Sequence, residues 1–268
     1  MPKLKKTKRL GQHLLKDEDV ANRIVDSAKI GPKDTVLEIG PGKGILTRRL
    51  VHRAQQIIAI EIDPIYHSHL AAQFKDESQL TLIQKDVLKF DFSEVGEKFK
   101  VISNLPYSVS VPIFLRLLDY SESITSMVLM FQKEVADRFL ANPGSRSIGS
   151  LTHVSQNCCQ IKLLLSVEKQ SFRPVPKVDS SVLLFRPRPK PLVRVHDENF
   201  LFELIRAGFR HRRKTLRNNL VYFLKDRTNV EKVLEMEKID PGCRAEHLGL
   251  KDFARLSERF LEMRSSLL

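Results

Sequence analysis

Tryptophan is missing from this 268-residue chain, and cysteine is nearly so: there are three, of which two, Cys158 and Cys159, are neighbours. Thiols so spaced form neither a disulfide framework nor a zinc-ligand pattern, which points to a reducing, cytoplasmic compartment. The eight histidines are scattered, and none falls in an HExxH or paired-ligand spacing, so no metal is expected. No apolar run is long enough to span a bilayer. The basic N-terminus is not followed by the apolar stretch of a secretory signal, so neither membrane insertion nor export is expected. Acidic residues are the other shortage. Against 45 Lys and Arg stand 32 Asp and Glu, a net charge of +13 with a pI near 9.7. That excess says little about fold but favours a polyanionic partner.

What remains is ordinary for a globular protein, with 42% hydrophobic and 29% charged residues. The length suits one large domain, or one with a smaller companion. Residues 1–16 form a basic tail (Lys3, Lys5, Lys6, Lys8, Arg9) that runs into Gly11-Gln12-His13-Leu14-Leu15. Residues 17–29 read as a helix, with Asp17, Glu18 and Asp19 in its first turn and Val20, Ile24, Val25 and Ala28 at helical spacing. Strand patterns at 35–39, 56–60, 80–84, 98–103 and 127–131 then alternate with helix patterns at 43–52, 64–74, 111–118 and 132–140. That order predicts an α/β fold with a mostly parallel sheet covered on both faces. Strand patterns at 161–167 and 181–185 flank a proline-rich loop, Phe172-Arg173-Pro174-Val175-Pro176-Lys177. The proline-interrupted run 186–191 reads as an extended linker. From residue 197 the patterns are helical, over 198–223, 228–237 and 251–264. The expected division is an α/β domain at 1–188 and a small all-helical domain at 189–268.

Leu37-Glu38-Ile39-Gly40-Pro41-Gly42-Lys43-Gly44 leaves a strand and enters a helix, where α/β sheets bind ligands. Its glycines let backbone approach a ligand closely. The spacing fits neither a dinucleotide fingerprint nor a phosphate-binding Walker loop. G-x-G-x-G after an acidic strand residue resembles the first motif of class I S-adenosylmethionine-dependent methyltransferases. Glu61 ends the second strand and can accept from both hydroxyls of a ribose. Asp86 ends the third and can accept from an adenine amino group. Glu38 can hold the cofactor's ammonium group or bond loop amides instead. After the fourth strand comes Asn104-Leu105-Pro106-Tyr107. Pro106 fixes its own φ and biases Leu105 toward extended geometry. A side-chain amide, directed carbonyls and an aromatic face suit a flat, amino-bearing ring, although an Asn-x-Pro turn with no ligand has the same sequence.

The ordered set of motifs resembles the rRNA adenine N6-methyltransferase family, and within it the small-subunit dimethyltransferases of the KsgA type. The motifs are residues 11–15, 37–44 and 104–107, Phe131-Gln132-Lys133-Glu134-Val135-Ala136, 172–181 (FRPVPKVDSS) and 211–220 (HRRKTLRNNL). The resemblance covers nearly the whole chain. Departures are few: His13 and Leu14 stand where many members carry Asn and Phe, and residues 146–151 differ from the usual aromatic-Gly-Arg pattern. The resemblance implies a seven-stranded, mostly parallel Rossmann-like sheet with a C-terminal helical domain. It also implies S-adenosylmethionine as cofactor, held by His13, Leu15, Gly40, Gly42, Glu61, Asp86 and Asn104. In the same way it implies that Asn104 and the Leu105 carbonyl accept from the target N6, with Pro106 shaping that turn. Tyr107 stacks on one ring face and Phe172 covers the other, unless Phe172 is only an apolar anchor beneath the proline run. The substrate implied is two adjacent adenosines near the 3′ end of small-subunit rRNA, within an immature small subunit, the enzyme acting as a monomer. Arg206, Arg210, Arg212, Arg213, Lys214 and Arg217 fall on an expected helix whose charged face suits RNA phosphates, or is simply solvated. Two rivals share the scaffold: Erm-type large-subunit rRNA methyltransferases, and non-catalytic RNA-binding assembly or transcription factors. Residues 206–220 and 244–248 favour the small-subunit type. Intact residues 104–107 with Glu61 and Asp86 favour an enzyme over a binder.

Overall fold

A computed structural model describes residues 13–265. The basic tail residues Lys3, Lys5, Lys6, Lys8 and Arg9, with Gly11 and Gln12, lie outside the described residues. The chain runs β1 (Leu14–Leu15), α1 (Glu18–Ser27), β2 (Thr35–Ile39), α2 (Thr47–Leu50), β3 (Gln56–Glu61), α3 (Pro64–Gln73), β4 (Leu80–Gln84) and β5 (Phe99–Asn104). It continues through α4 (Ser110–Leu118), β6 (Ile124–Gln132), α5 (Lys133–Phe139), α6 (Ser150–Cys158), β7 (Cys159–Val167), β8 (Phe172–Arg173) and β9 (Ser180–Pro187). Four helices close it: α7 (Glu198–Gly208), α8 (Leu216–Leu224), α9 (Arg227–Met236) and α10 (Leu250–Ser265).

Seven strands form one sheet in the order β4-β3-β2-β5-β6-β9-β7. The β4–β3, β3–β2, β2–β5 and β5–β6 pairs are parallel, and β9 runs antiparallel to β6. This is the expected Rossmann-like sheet. Val36 and Leu37 on β2, Ile57 on β3 and Val101 and Ile102 on β5 are fully buried, as near-continuous apolar strands covered on both faces must be. Side-chain caps start several of the helices, α1 and α3 among them. Asp17 Oδ1 accepts from Val20 N at 3.1 Å before α1, and Asp63 Oδ1 accepts from Ile65 N at 2.8 Å before α3, whose first residue is Pro64.

Two expected helices change. The helix expected at 43–52 is reduced to α2, because Gly42 and Gly44 take φ of +58° and +75°, outside the right-handed helical region. The helix expected at 198–223 is broken in two. α7 ends at Gly208, and Thr215 restarts the chain as the cap of α8, accepting from Asn218 N at 3.3 Å. The intervening turn is held by buried Asn219, whose Nδ2 donates to Gly208 O at 2.8 Å and His211 O at 3.2 Å. The basic residues 210–214 therefore sit on a loop, not on a helix.

Packing divides the chain into two units. One comprises the residues up to Ala136 with Gln160–Pro187, and the other Asp137–Cys159 with the chain from Arg188 onward. The sequence division at 188/189 differs from this in the segment 137–159. His153 on α6 explains the difference, since its ring lies 5.5 Å from that of Phe209 and 5.3 Å from that of Phe253 in the helical core. Asn157 adds to it, donating to Glu198 Oε1 at 3.0 Å. Phe200, Leu204, Leu216, Leu220, Val233 and Phe253 complete that core.

His153 is buried, and its Nε2 meets no hydrogen-bond partner among the described residues. Burial pushes its imidazole down to about 4, with Asp252 opposing. Between that value and the ordinary 6.5 the unfolded chain holds a proton there that the folded chain does not. The contribution is therefore complete above pH 6.5 and lost as pH falls through the folded value, by about 3 kcal/mol in all. Urea unfolding followed from pH 7 down to 4 should show that loss in the natural chain. In His153→Leu the slope should be shallower by that contribution, and equal slopes would contradict a buried neutral imidazole.

Candidate active site and nucleic-acid interface

The carboxyl ends of β2, β3 and β5 build the first site. Gly40, Gly42 and Gly44 all take positive φ after β2. A Cβ on Gly44 would stand 2.8 Å from Phe74 Cε2 and 2.9 Å from Leu70 Cδ2, and one on Gly42 would stand 2.7 Å from Leu14 Cδ2. The turn therefore needs glycine for backbone conformation and for space. Glu61, at the end of β3 and 1% exposed, accepts from Gly42 N at 3.0 Å and from Asp63 N at 2.9 Å. Burial raises its pKa, and these amide hydrogen bonds oppose the rise. Two of the carboxylate's roughly four acceptor positions are used, so about two are left for a ligand's hydroxyls. Glu38 is buried and accepts from Thr47 Oγ1 at 2.7 Å. Burial, with Glu61 nearby, pushes it up to about 8, so it is chiefly protonated at neutral pH. A neutral carboxyl tied to Thr47 fits the loop-bonding role better than the ammonium-binding one.

At the end of β5, Asn104 Nδ2 donates to His13 O at 3.2 Å, which fixes the amide and leaves Oδ1 as its acceptor end. Leu105 is buried, so its main chain and not its side chain is available to a ligand. Tyr107 is half-buried and its hydroxyl lies 2.6 Å from Ser180 Oγ. Burial raises its pKa. The Tyr107 ring stacks on His13 at 5.5 Å with an interplanar angle of 29°. β1 pairs antiparallel with β8, Leu15 opposite Phe172, and His13 Nδ1 is 2.7 Å from Pro174 O. The segment before α1 is thereby fastened to the proline-rich loop. One cavity is lined by His13, Leu14, Gly40, Gly42, Asn104, Leu105, Pro106 and Tyr107.

Residues 3–262 match the family model described as ribosomal RNA adenine dimethylase. The chain belongs to the ribosomal RNA adenine dimethylase family. It is 44% identical to the ribosomal RNA small subunit methyltransferase A of Bacillus cytotoxicus over 93% of this chain and 89% of the relative. It is 42% identical to the protein of the same name from Bacillus mycoides over 95% and 91%. Among solved structures, a dimethyladenosine transferase from Plasmodium falciparum superposes with a TM-score of 0.79 at 28% identity, covering 96% of this chain and 99% of that one. The 23S rRNA methyltransferase ErmE superposes with a TM-score of 0.71 at 26% identity, covering 92% and 98%.

The expected site residues of this dimethylase-family chain do not all meet in the cavity. His13, Gly40, Gly42, Asn104, Leu105, Pro106 and Tyr107 line it, whereas Leu15, Glu61, Asp86 and Phe172 do not. Glu61 reaches it through the amide of Gly42. Asp86 is half-buried after β4, where its Oδ1 accepts from Leu88 N at 3.0 Å. Phe172 is fully buried in the core with Leu15, and its ring meets Tyr107 edge-on at 6.5 Å and 66°. The His13–Tyr107 stack has no signature in the residue pattern, because it depends on the two-residue β1–β8 pair.

The basic cluster forms the second candidate. Arg206 is exposed on α7, Arg210, Arg212, Arg213 and Lys214 are exposed on the loop, and Arg217 is partly buried on α8. Arg212 donates to Arg146 O and lies 3.9 Å from Glu246, and Arg217 pairs with Glu231 at 3.3 Å. No carboxylate pairs with Arg206, Arg210, Arg213 or Lys214 among the described residues. No helix of the described chain is long and apolar enough to cross a membrane, and no metal-ligand cluster occurs among the described residues.

The glycine turn yields a stability prediction. Gly44→Ala combines left-handed strain with contact against the buried Leu70 and Phe74, which should cost about 2–4 kcal/mol in denaturant unfolding. Gly96→Ala, which meets nothing within 4 Å though its φ is also positive, should cost less. Equal losses would contradict the close-packed turn.

Proposed function

We propose that this chain transfers methyl groups from S-adenosylmethionine to N6 of two adjacent adenosines near the 3′ end of small-subunit rRNA. In this reading it acts as a monomer on an immature small ribosomal subunit in the cytoplasm. The α/β unit, residues up to Ala136 with Gln160–Pro187, would bind the cofactor and carry out transfer, and the helical unit would engage RNA. The single observation that carries the reading is the meeting of Asn104-Leu105-Pro106-Tyr107 with the glycine turn in one cavity. The names of the Bacillus relatives support the small-subunit target over the large-subunit one of ErmE.

Gly40 and Gly42 would give the cofactor a close backbone surface. The acceptor positions of Glu61 left over from its bonds to Gly42 and Asp63 suit the two ribose hydroxyls. Asp86 would accept from the cofactor's adenine amino group, its Oδ1 already positioned by Leu88 N. His13 and Leu15, on the segment fastened to β8, would close that side. When bound, S-adenosylmethionine supplies an electrophilic methyl group together with its own leaving group.

The protein's task is then to present adenine N6. That nitrogen is a poor nucleophile because its lone pair is delocalised into the ring. Hydrogen bonds from its amino group to Asn104 Oδ1 and the Leu105 carbonyl favour a more tetrahedral nitrogen with an available lone pair. No strong base is needed, because N6 becomes strongly acidic once methylated and would release its extra proton to water, and catalysis rests on positioning and fixed dipoles. The target base must leave any stack to enter. Tyr107 would take one face of it and Phe172 the other, which requires the His13 stack on Tyr107 or the edge-on Tyr107–Phe172 contact to yield. A monomethylated N6 keeps one hydrogen, which one of the two acceptors would still hold to aim the lone pair for the second transfer.

Purified protein given labelled cofactor, with unmethylated small subunits and large-subunit RNA offered separately, tests the reading. Label should appear as N6,N6-dimethyladenine at adjacent positions of the small-subunit RNA. Label on a large-subunit adenine, or no transfer at all, would overturn it.

A further inference from the structure

Tyr222, on the last turn of α8, is 48% exposed. Two cations lie over its ring: Arg210 Cζ at 4.8 Å and Lys225 Nζ at 4.2 Å from the ring centre. His211 meets the same ring edge-on at 5.9 Å. Neither Arg210 nor Lys225 pairs with a carboxylate among the described residues, whereas Arg212 and Arg217 nearby both do.

The backbone holds these groups in place. Arg210 N donates to Ala207 O at 3.1 Å, and the turn that follows is stapled by the Asn219 amide. Lys225 ends α8 in the left-handed conformation, with φ of 59° and its N–H on Val221 O at 2.9 Å, one turn beyond Tyr222. A carboxylate could hold the same two cations, but it would cancel their charge. An aromatic face holds them through its quadrupole, worth about 0.5–1 kcal/mol per exposed contact, and leaves both charges intact. Two positive groups gathered on one exposed ring, in a chain of net charge +13, present two uncancelled charges to an anion.

We propose that Tyr222, Arg210 and Lys225 form a backbone-binding site for RNA, in which the ring supports two cations that grip phosphate groups. This rests on the reading of the chain as an rRNA methyltransferase and extends it from Arg210, within the 206–217 cluster, to Tyr222 and Lys225 outside it. Tyr222 acts as a positioning residue for the two cations.

Binding to unmethylated small ribosomal subunits, followed from low to high salt, tests it. Arg210→Ala and Lys225→Ala should each weaken binding and lower the salt slope by about 0.7–0.9. Tyr222→Leu should weaken binding about fivefold, because the two cations lose the surface that holds them in position before RNA arrives, while Tyr222→Phe keeps that surface and the natural affinity. Methyl transfer by Tyr222→Leu should show a raised KM with unchanged kcat. Because the chain has no tryptophan, Tyr222→Trp creates a single indole emitter whose fluorescence should change on adding RNA. Unchanged affinity and salt slope in the Ala and Leu variants, with an indole emission in Tyr222→Trp that does not respond to RNA, would overturn the proposal. Should the natural chain prefer large-subunit RNA, the small-subunit reading fails, and the same variants then judge this site on that RNA.

Discussion

A carboxylate buried at the end of β3 ties two pieces of chain that would otherwise be independent. Glu61 accepts from the amide of Gly42 and from that of Asp63, so the glycine turn after β2 and the entry to α3 are set by one side chain. The turn can reach that carboxylate only because Gly40, Gly42 and Gly44 adopt conformations that other residues resist. Leu14 then packs close against Gly42, and Leu70 and Phe74 against Gly44. Desolvation raises the pKa of Glu61, so its amide hydrogen bonds do more than shape the loop: they offset the cost of burying an acid. Glu38, close behind, meets that cost by staying protonated.

From this anchored turn the remaining parts of the site follow in order. β5 lies beside β2 and delivers Asn104 to the same edge of the sheet. The Asn104 amide holds the carbonyl of His13, and the His13 ring covers a face of Tyr107. Asp17 caps α1 and also accepts from Ser171 Oγ at 2.9 Å, which fastens that segment a second time to the loop bearing Phe172. In the proposed reading, the cofactor seat and the base clamp would share a wall made by residues 13–15. The helical unit supplies its own organised feature, a basic loop stapled by Asn219 and an aromatic ring bearing two cations.

Most of the sheet was legible because buried parallel strands leave an unmistakable alternation with helices. Val36-Leu37, Ile57-Ile58 and Val101-Ile102 are short apolar runs ended by Gly40, Glu61 and Asn104, and those ends are where ligand chemistry gathers. What was not legible depended on contacts between residues far apart in sequence. The β1–β8 pair has two residues per strand, too few for any periodicity to reveal. α6 reads Ser-Leu-Thr-His-Val-Ser-Gln-Asn-Cys, and its helical character depends on packing of His153 against Phe209 and Phe253. The helix expected across 198–223 failed because apolar spacing continues through Phe209 and Leu216, while Thr215 and Asn219 take up backbone groups that a continuous helix would need. A lone tyrosine on an amphipathic helix carries no signal either, and Tyr222 gains its meaning only once the fold sets Arg210 over its ring.

The proposed function implies a division of labour, in which Glu61 and the glycine turn would hold the cofactor and Asn104 with the Leu105 carbonyl would prepare the target nitrogen. The most direct measurement compares cofactor affinity with single-turnover methyl transfer in Asn104→Ala. Transfer should slow by about 10²–10³-fold, with cofactor affinity falling far less although Asn104 also pins His13. Transfer at the natural rate by a stably folded Asn104→Ala protein would contradict it.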